Sequence, residues 1–180
     1  KPDSQDICFV PDGDYASFIE QYTGQSSEPG DFVNKEGKVL GKHKGQIHYT
    51  IGQRRGLGIS APESLYVCGK SLDSNEVILG GKQDLMSNYC YINDINLIPW
   101  DHLDAPIKCK VKTRYRQPEQ PATVEQIGED LIKITFDEPQ RAVTPGQAAV
   151  LYDDDMVLGG GTILPEGLAS TMTTSQGTNN

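Results

Sequence analysis

The sequence predicts a mainly β protein: a small α+β domain followed by a six-stranded antiparallel β-barrel. Nineteen Gly and eleven Pro, with few long apolar periodic stretches, favour a turn-rich β architecture. Six strand-like runs follow one another between Cys90 and Ile163, and the turns between them are too short to hold helices. With 180 residues, 36% of them hydrophobic, the chain is long enough for one ordinary domain or two small ones.

The first element is helical. Tyr15, Phe18, Ile19 and Tyr22 recur at helical spacing behind the capping carboxylates of Asp12 and Asp14, and Gly24 stops the run. Such an aromatic stripe is expected to face a core. A polar loop from Gln25 to Gly30 leads to Asp31-Phe32-Val33 and Lys38-Val39-Leu40, a small hairpin turned at Glu36-Gly37. The Gly-punctuated stretch from Gly41 to Gly58 reads as a short helix flanked by loops. Leu65 to Leu72 and Glu76 to Leu79 pair across Asp73-Ser74-Asn75, and a domain boundary is expected between Leu85 and Asn88.

The barrel strands are expected at Cys90 to Ile98, Ile107 to Arg116, Ala122 to Ile127, Leu131 to Phe136, Gln147 to Tyr152 and Met156 to Ile163. Turns at Gly128-Glu129-Asp130 and Asp153-Asp154-Asp155 separate successive pairs. The tail after Pro165, rich in Ser, Thr, Gly and Asn, has little to bury and is expected to be disordered.

Charge is polarised along the chain. The formal net charge is −9, yet two acid-free windows, Gly37 to Pro62 and Ala105 to Pro118, hold 10 of the 16 Lys and Arg. In the second window Lys108, Lys110, Lys112, Arg114 and Arg116 fall at every second residue, which places all five on one face of a strand. Ile107, Cys109, Val111, Thr113 and Tyr115 then form the opposite, inner face. Alternation alone fits a solvated outer face as well as a nucleic-acid surface. Its single sign favours the second, because an ordinary solvated face mixes acids with bases to avoid repulsion. Segregation of this kind points to a polyanionic partner.

Other function classes are disfavoured. No run reaches the eighteen or so apolar residues of a membrane span, and the opening Lys-Pro-Asp-Ser-Gln-Asp does not read as a signal peptide. A soluble cytoplasmic protein is the expectation. Cys8, Cys68, Cys90 and Cys109 are scattered, with neither Cys-x-x-Cys pairs nor His at zinc spacing, so neither a disulfide framework nor a metal site is supported. Cys68 and Cys109 lie in apolar runs, where a thiol packs as a small hydrophobe. For Cys8, which has no visible base beside it, packing is again the simpler reading.

Several strings resemble one family, the tRNA-specific 2-thiouridylases, which place sulfur on the wobble uridine of certain tRNAs. They are SQDICF (residues 4–9), PGD (29–31), TIGQRRGLGI (50–59), KTRYRQP (112–118), FDEPQRAVTPGQAAVLY (136–152) and LGGGTI (158–163), in the family's order. Members of the family begin with an ATP-pyrophosphatase domain whose Ser-Gly-Gly-x-Asp-Ser loop holds ATP phosphates, and no such string occurs here. The resemblance therefore implies the carboxy-terminal half of such an enzyme, inactive by itself. Residues 1–10 would end the catalytic domain, 11–86 would form a central adaptor domain, 87–165 a β-barrel similar to those of translation factors, and 166–180 a disordered tail.

The resemblance also reassigns Cys8, as the cysteine that carries persulfide sulfur from a sulfur-relay protein or cysteine desulfurase. ATP, with Mg, would adenylate the uracil C2 oxygen in the full-length enzyme, and a polarisable sulfur would then attack C2. Asp3 and Asp6 would raise the pKa of a thiol at Cys8, so its activation must come from elsewhere in the enzyme. For tRNA contact the resemblance implies Arg114, Tyr115 and Gln147. Guanidinium pairs with phosphate or stacks on a base, and a tyrosine ring supplies a stacking plane. Strict alternation would nonetheless turn Tyr115 inward unless the strand twists or bulges at its end. Lys112 and Arg116 are further candidates, as are Arg54 and Arg55, which could equally hold the adaptor against the catalytic domain. Two other classes stay open: a non-enzymatic RNA-binding or translation-associated barrel in which Cys8 is incidental, and a structural adaptor whose basic strand meets an acidic protein.

Overall fold

The computed structural model describes residues 10, 14–24, 26–115, 117–165 and 168. Cys8 and Arg116 lie outside these residues, as do nearly all of the expected catalytic-domain remnant and tail. The chain divides between Asp84 and Leu85 into two compact units.

The first unit opens with α1 (Tyr15–Thr23). The Asp14 carboxylate caps it, accepting from the Ser17 backbone N–H at 3.1 Å and from the Ser17 hydroxyl at 2.6 Å, and Gly24 ends it at φ +67°. Those two hydrogen bonds hold the Asp14 carboxyl below the usual carboxylate range. The aromatic stripe does not face a core, contrary to the sequence expectation: only Ala16 of the helix is buried, and Tyr22 is 83% exposed. The helix packs chiefly on one short 3-10 turn, Gln46–His48, which is too small to cover the stripe.

A four-stranded sheet forms the rest of the unit, in the order β2-β1-β4-β3, from β1 (Gly30–Val33), β2 (Val39–His43), β3 (Tyr66–Ser71) and β4 (Glu76–Gly80). Both expected antiparallel pairs are present, and β1 also lies parallel to β4, with Phe32 opposite Val77. Phe32, Val67, Val77, Leu79, Tyr49 and Leu57 form the core, with the Phe32 ring edge-on to Tyr49 at 5.0 Å. His43 is buried here. Its Nδ1 accepts from the Gly45 N–H at 3.0 Å, which leaves Nε2 to donate to the Asn75 carbonyl at 3.1 Å. Gly30 is needed beside it, because a Cβ there would come within 2.0 Å of that carbonyl.

The second unit is a closed six-stranded barrel in the order β10-β5-β8-β7-β6-β9, with every pairing antiparallel. Its strands are β5 (Met86–Leu97), β6 (Ile107–Lys112), β7 (Gln120–Gly128), β8 (Leu131–Arg141), β9 (Ala148–Asp153) and β10 (Met156–Ile163). Ile92, Val111, Val124, Ile132, Ile134, Leu151 and Ile163 fill its interior. β8 runs past the expected end at Phe136 because a bulge, between the pairings Ser87–Gln140 and Tyr89–Thr135, carries the strand through Pro139. β6 is shorter than expected and stops at Lys112, so the five basic residues do not share one strand face.

Barrel closure explains the Gly-Gly-Gly run. A Cβ on Gly160 would lie 2.3 Å from the Ala149 carbonyl oxygen; Gly159, at φ +141°, sits where the register of β10 shifts against β9, and the shift against β5 falls between Gly160 and Thr162.

Candidate nucleic-acid interface

One end of the barrel gathers the carboxy ends of β6, β8 and β10 with the amino ends of β5, β7 and β9. At this rim β6 gives way to a turn in which the Gln117 N–H donates to the Arg114 carbonyl at 3.2 Å. The turn breaks the alternation. Thr113 still points inward and is buried, but Tyr115, which strict alternation would have sealed inside, is 84% exposed.

Arg114 is half-buried and reaches across to the segment joining β8 to β9. Its Nη2 donates to the Ala142 carbonyl and, at 3.2 Å, to Thr144 Oγ1. Ala142 presents that carbonyl from a left-handed backbone at φ +54°, an uncommon conformation for a residue with a Cβ, held by its own N–H donating to Leu85 at 2.6 Å. Burial first, and then the nearby Arg141, lower the Arg114 pKa from its ordinary value. A guanidinium remains fully charged there. The same segment carries Gln147, whose N–H donates to the Thr144 carbonyl at 3.3 Å and whose side chain is exposed.

Arg114, Tyr115 and Gln147 are thus brought to one barrel rim, with Lys112 at the adjoining end of β6. Lys112 Nζ lies 5.9 Å from the centre of the Tyr152 ring. Farther down β6, Lys110 pairs with Asp154 at 2.9 Å, and that hydrogen bond raises its pKa. Lys108, farther still, is exposed; of the basic residues on β6 only Lys110 is paired with an acid among the described residues, and Arg114 leaves the strand face at the turn. Arg54 and Arg55 belong to the other unit, both exposed, with the Arg55 carbonyl accepting from Gln53 Nε2 at 2.9 Å. Arg54 borders a hollow of about 350 Å³ that Glu63 also lines, so positive charge does not dominate it.

The sequence reading missed Thr144, which links Arg114 to Gln147, and Gln117 and Gln140, which brace the turn. Strand periodicity carries no signal for a buried amide. Only the position of these residues inside two of the matching strings, KTRYRQP and FDEPQRAVTPGQAAVLY, marks them out.

The remaining described thiols are packing groups. Burial pushes Cys90 up to about 12 and Cys109 up to about 11, and raises Cys68 as well. Among the described residues no cluster of His, Cys, Asp and Glu could hold a metal ion, and no helix is long and apolar enough to cross a membrane.

Comparison with known proteins agrees with this architecture. Residues 16–81 match the tRNA methyl transferase PRC-barrel domain and residues 87–163 match the aminomethyltransferase beta-barrel domain. The chain is 47% identical over 163 residues to the tRNA-specific 2-thiouridylase MnmA of Clostridioides difficile, covering 91% of this chain and 45% of that protein. The MnmA proteins of Acetivibrio thermocellus (47%) and Carboxydothermus hydrogenoformans (45%) match with the same two coverages. The chain belongs to the tRNA-specific 2-thiouridylase family. It aligns with the carboxy-terminal part of its relatives and spans a little under half of their length. Of the six strings that carried the family resemblance, KTRYRQP and FDEPQRAVTPGQAAVLY are the two that build the rim.

Proposed function

We propose that this chain is the tRNA-binding and persulfide-carrying part of an ATP-dependent enzyme that 2-thiolates the wobble uridine of tRNA. In this reading residues 1–10 end a catalytic domain, 11–86 are an adaptor and 87–165 are the tRNA-binding barrel. One observation carries the binding role: Tyr115, 84% exposed, follows Arg114 directly in the turn, on the rim that also presents the Gln147 side chain. Phosphate neutralisation by Arg114 and Lys112, base stacking on Tyr115 and a polar contact from Gln147 suit an RNA with unstacked bases, such as an anticodon loop. Arg116 would add charge to the same stretch, and Arg54 and Arg55 are secondary contacts.

Chemistry belongs to the full-length enzyme. ATP, with Mg, is its co-substrate, activating the uracil C2 oxygen as an adenylate. The outer sulfur of a Cys8 persulfide, received from a sulfur-relay protein or cysteine desulfurase, attacks C2 and expels AMP. A second thiol of the full-length enzyme then attacks the Cys8 sulfur, releasing the thiolated base and leaving a disulfide with Cys8. The described thiols favour this assignment by exclusion, because burial keeps Cys68, Cys90 and Cys109 protonated. A cytoplasmic location follows from that substrate.

The test is thiolation by the full-length protein carrying Cys8→Ser. The reading expects loss of product with tRNA affinity retained. Retained thiolation would leave a non-enzymatic RNA-binding barrel as the better account.

A further inference from the structure

The Arg114–Gln117 turn is fixed from both sides by polar contacts that the proposed RNA contacts do not use. Thr113 Oγ1 donates to Gln117 Oε1 at 2.9 Å, and Gln117 Nε2 donates to Gln140 Oε1 at 2.6 Å. Gln140 Nε2 in turn donates to the Glu138 carbonyl at 2.6 Å and approaches Gln120 Oε1 at 3.4 Å. Thr113 is 1% exposed and Gln140 6%, while Gln117 and Gln120 are half-buried, so the chain of side chains is anchored inside the barrel and reaches the rim. It joins the end of β6 to the end of β8 and the start of β7. Arg114 makes a second tie, to Ala142 and Thr144.

A barrel rim that needed only to exclude water would do so more simply with apolar side chains, since buried amides must be fully partnered to be tolerated. A satisfied network instead selects a single arrangement of the elements it joins. Here the element so held is the turn that presents Tyr115 to solvent. From this bracing we infer that Thr113, Gln117 and Gln140 are positioning residues for RNA binding, acting through the turn to hold Arg114 and Tyr115 in their binding geometry before RNA arrives. The inference rests on the tRNA-binding reading above. Without the brace, binding would have to order those two side chains itself, and each ordered side chain lowers affinity.

The test compares tRNA affinity, its salt dependence and thermal midpoint for the chain carrying Gln117→Leu, Thr113→Val, Thr113→Ser or Arg114→Ala. Gln117→Leu and Thr113→Val are expected to raise Kd about fivefold, the effect of re-ordering one or two side chains. The salt slope should not change, since no phosphate contact is removed. Thr113→Ser, which keeps the hydroxyl, should bind as the parent does. Arg114→Ala should instead lower the slope by about one. Unchanged Kd in Gln117→Leu and Thr113→Val, with a lower midpoint and with Arg114→Ala still weakened, would make the network purely structural and overturn the inference alone. Unchanged Kd in all four variants would remove the RNA reading and the inference together. Thr113→Val deletes one hydroxyl and keeps the result readable if Gln117→Leu fails to fold.

Discussion

Arg114 and Thr144, thirty residues apart in sequence, meet at 3.2 Å across the barrel rim, and their contact places the two halves of the proposed RNA surface side by side. Arg114 brings Tyr115 with it, and Thr144 holds Gln147 through the backbone. Because the guanidinium serves the fold as well as any bound phosphate, its removal should be felt in both.

Arg114→Ala is expected to lower the thermal midpoint by several degrees, the scale on which about 1 kcal/mol of lost hydrogen bonding registers in a unit of this size. The same variant should weaken tRNA binding and flatten its salt dependence. Scanning calorimetry and a salt titration of binding measure the two effects separately.

Binding by the parent chain should weaken steeply as salt rises, because several Lys and Arg release counterions from RNA. Filter binding between about 50 and 200 mM salt reads this. Affinity that ignores salt would exclude the rim charges as the contact. Saturable binding of an acidic protein with no binding of tRNA would favour the adaptor reading.

Thiol reactivity should test the three described cysteines as packing groups. With a disulfide reagent near neutral pH, Cys68, Cys90 and Cys109 should react slowly, as their raised pKa values require. Cys8→Ser should leave those three slow reactions unchanged.

The same burial predicts alkaline sensitivity. A Cys90 thiol raised to about 12 stays protonated in the folded barrel while the unfolded chain ionises near the ordinary thiol pKa. The unfolded state then binds fewer protons, so stability is complete below the ordinary value and is lost as pH rises from there toward 12. Cys90→Ala should reduce this slope in urea melts taken at rising pH, although its cavity will lower stability at every pH.

Gly160→Ala is expected to destabilise the barrel by about 1–3 kcal/mol, because the new Cβ meets the backbone oxygen of Ala149 rather than a flexible side chain. Chemical denaturation reads the loss directly.

Much of the fold was legible because its signals are local. Asp14 and Gly24 bracket α1, short turns separate the barrel strands, and period-two apolar residues mark their inner faces. What escaped depends on partners distant in sequence. The parallel pairing of β1 with β4 leaves no mark on either strand, and the stripe on α1 reads as core although Tyr22 is 83% exposed. At the site, Arg114, Tyr115 and Gln147 came from resemblance, while strict alternation misplaced Tyr115 because β6 ends at Lys112 in a turn closed by the Gln117 N–H donating to the Arg114 carbonyl and by Thr113 Oγ1 donating to Gln117 Oε1.

The most direct test of the RNA-binding rim is the tRNA affinity of Tyr115→Ala. The ring is almost wholly exposed, so its removal should leave the thermal midpoint unchanged. A stacked base lost from it should cost about 1–3 kcal/mol, raising Kd roughly fivefold or more. An unaltered Kd in a variant that melts as the parent does would contradict the account.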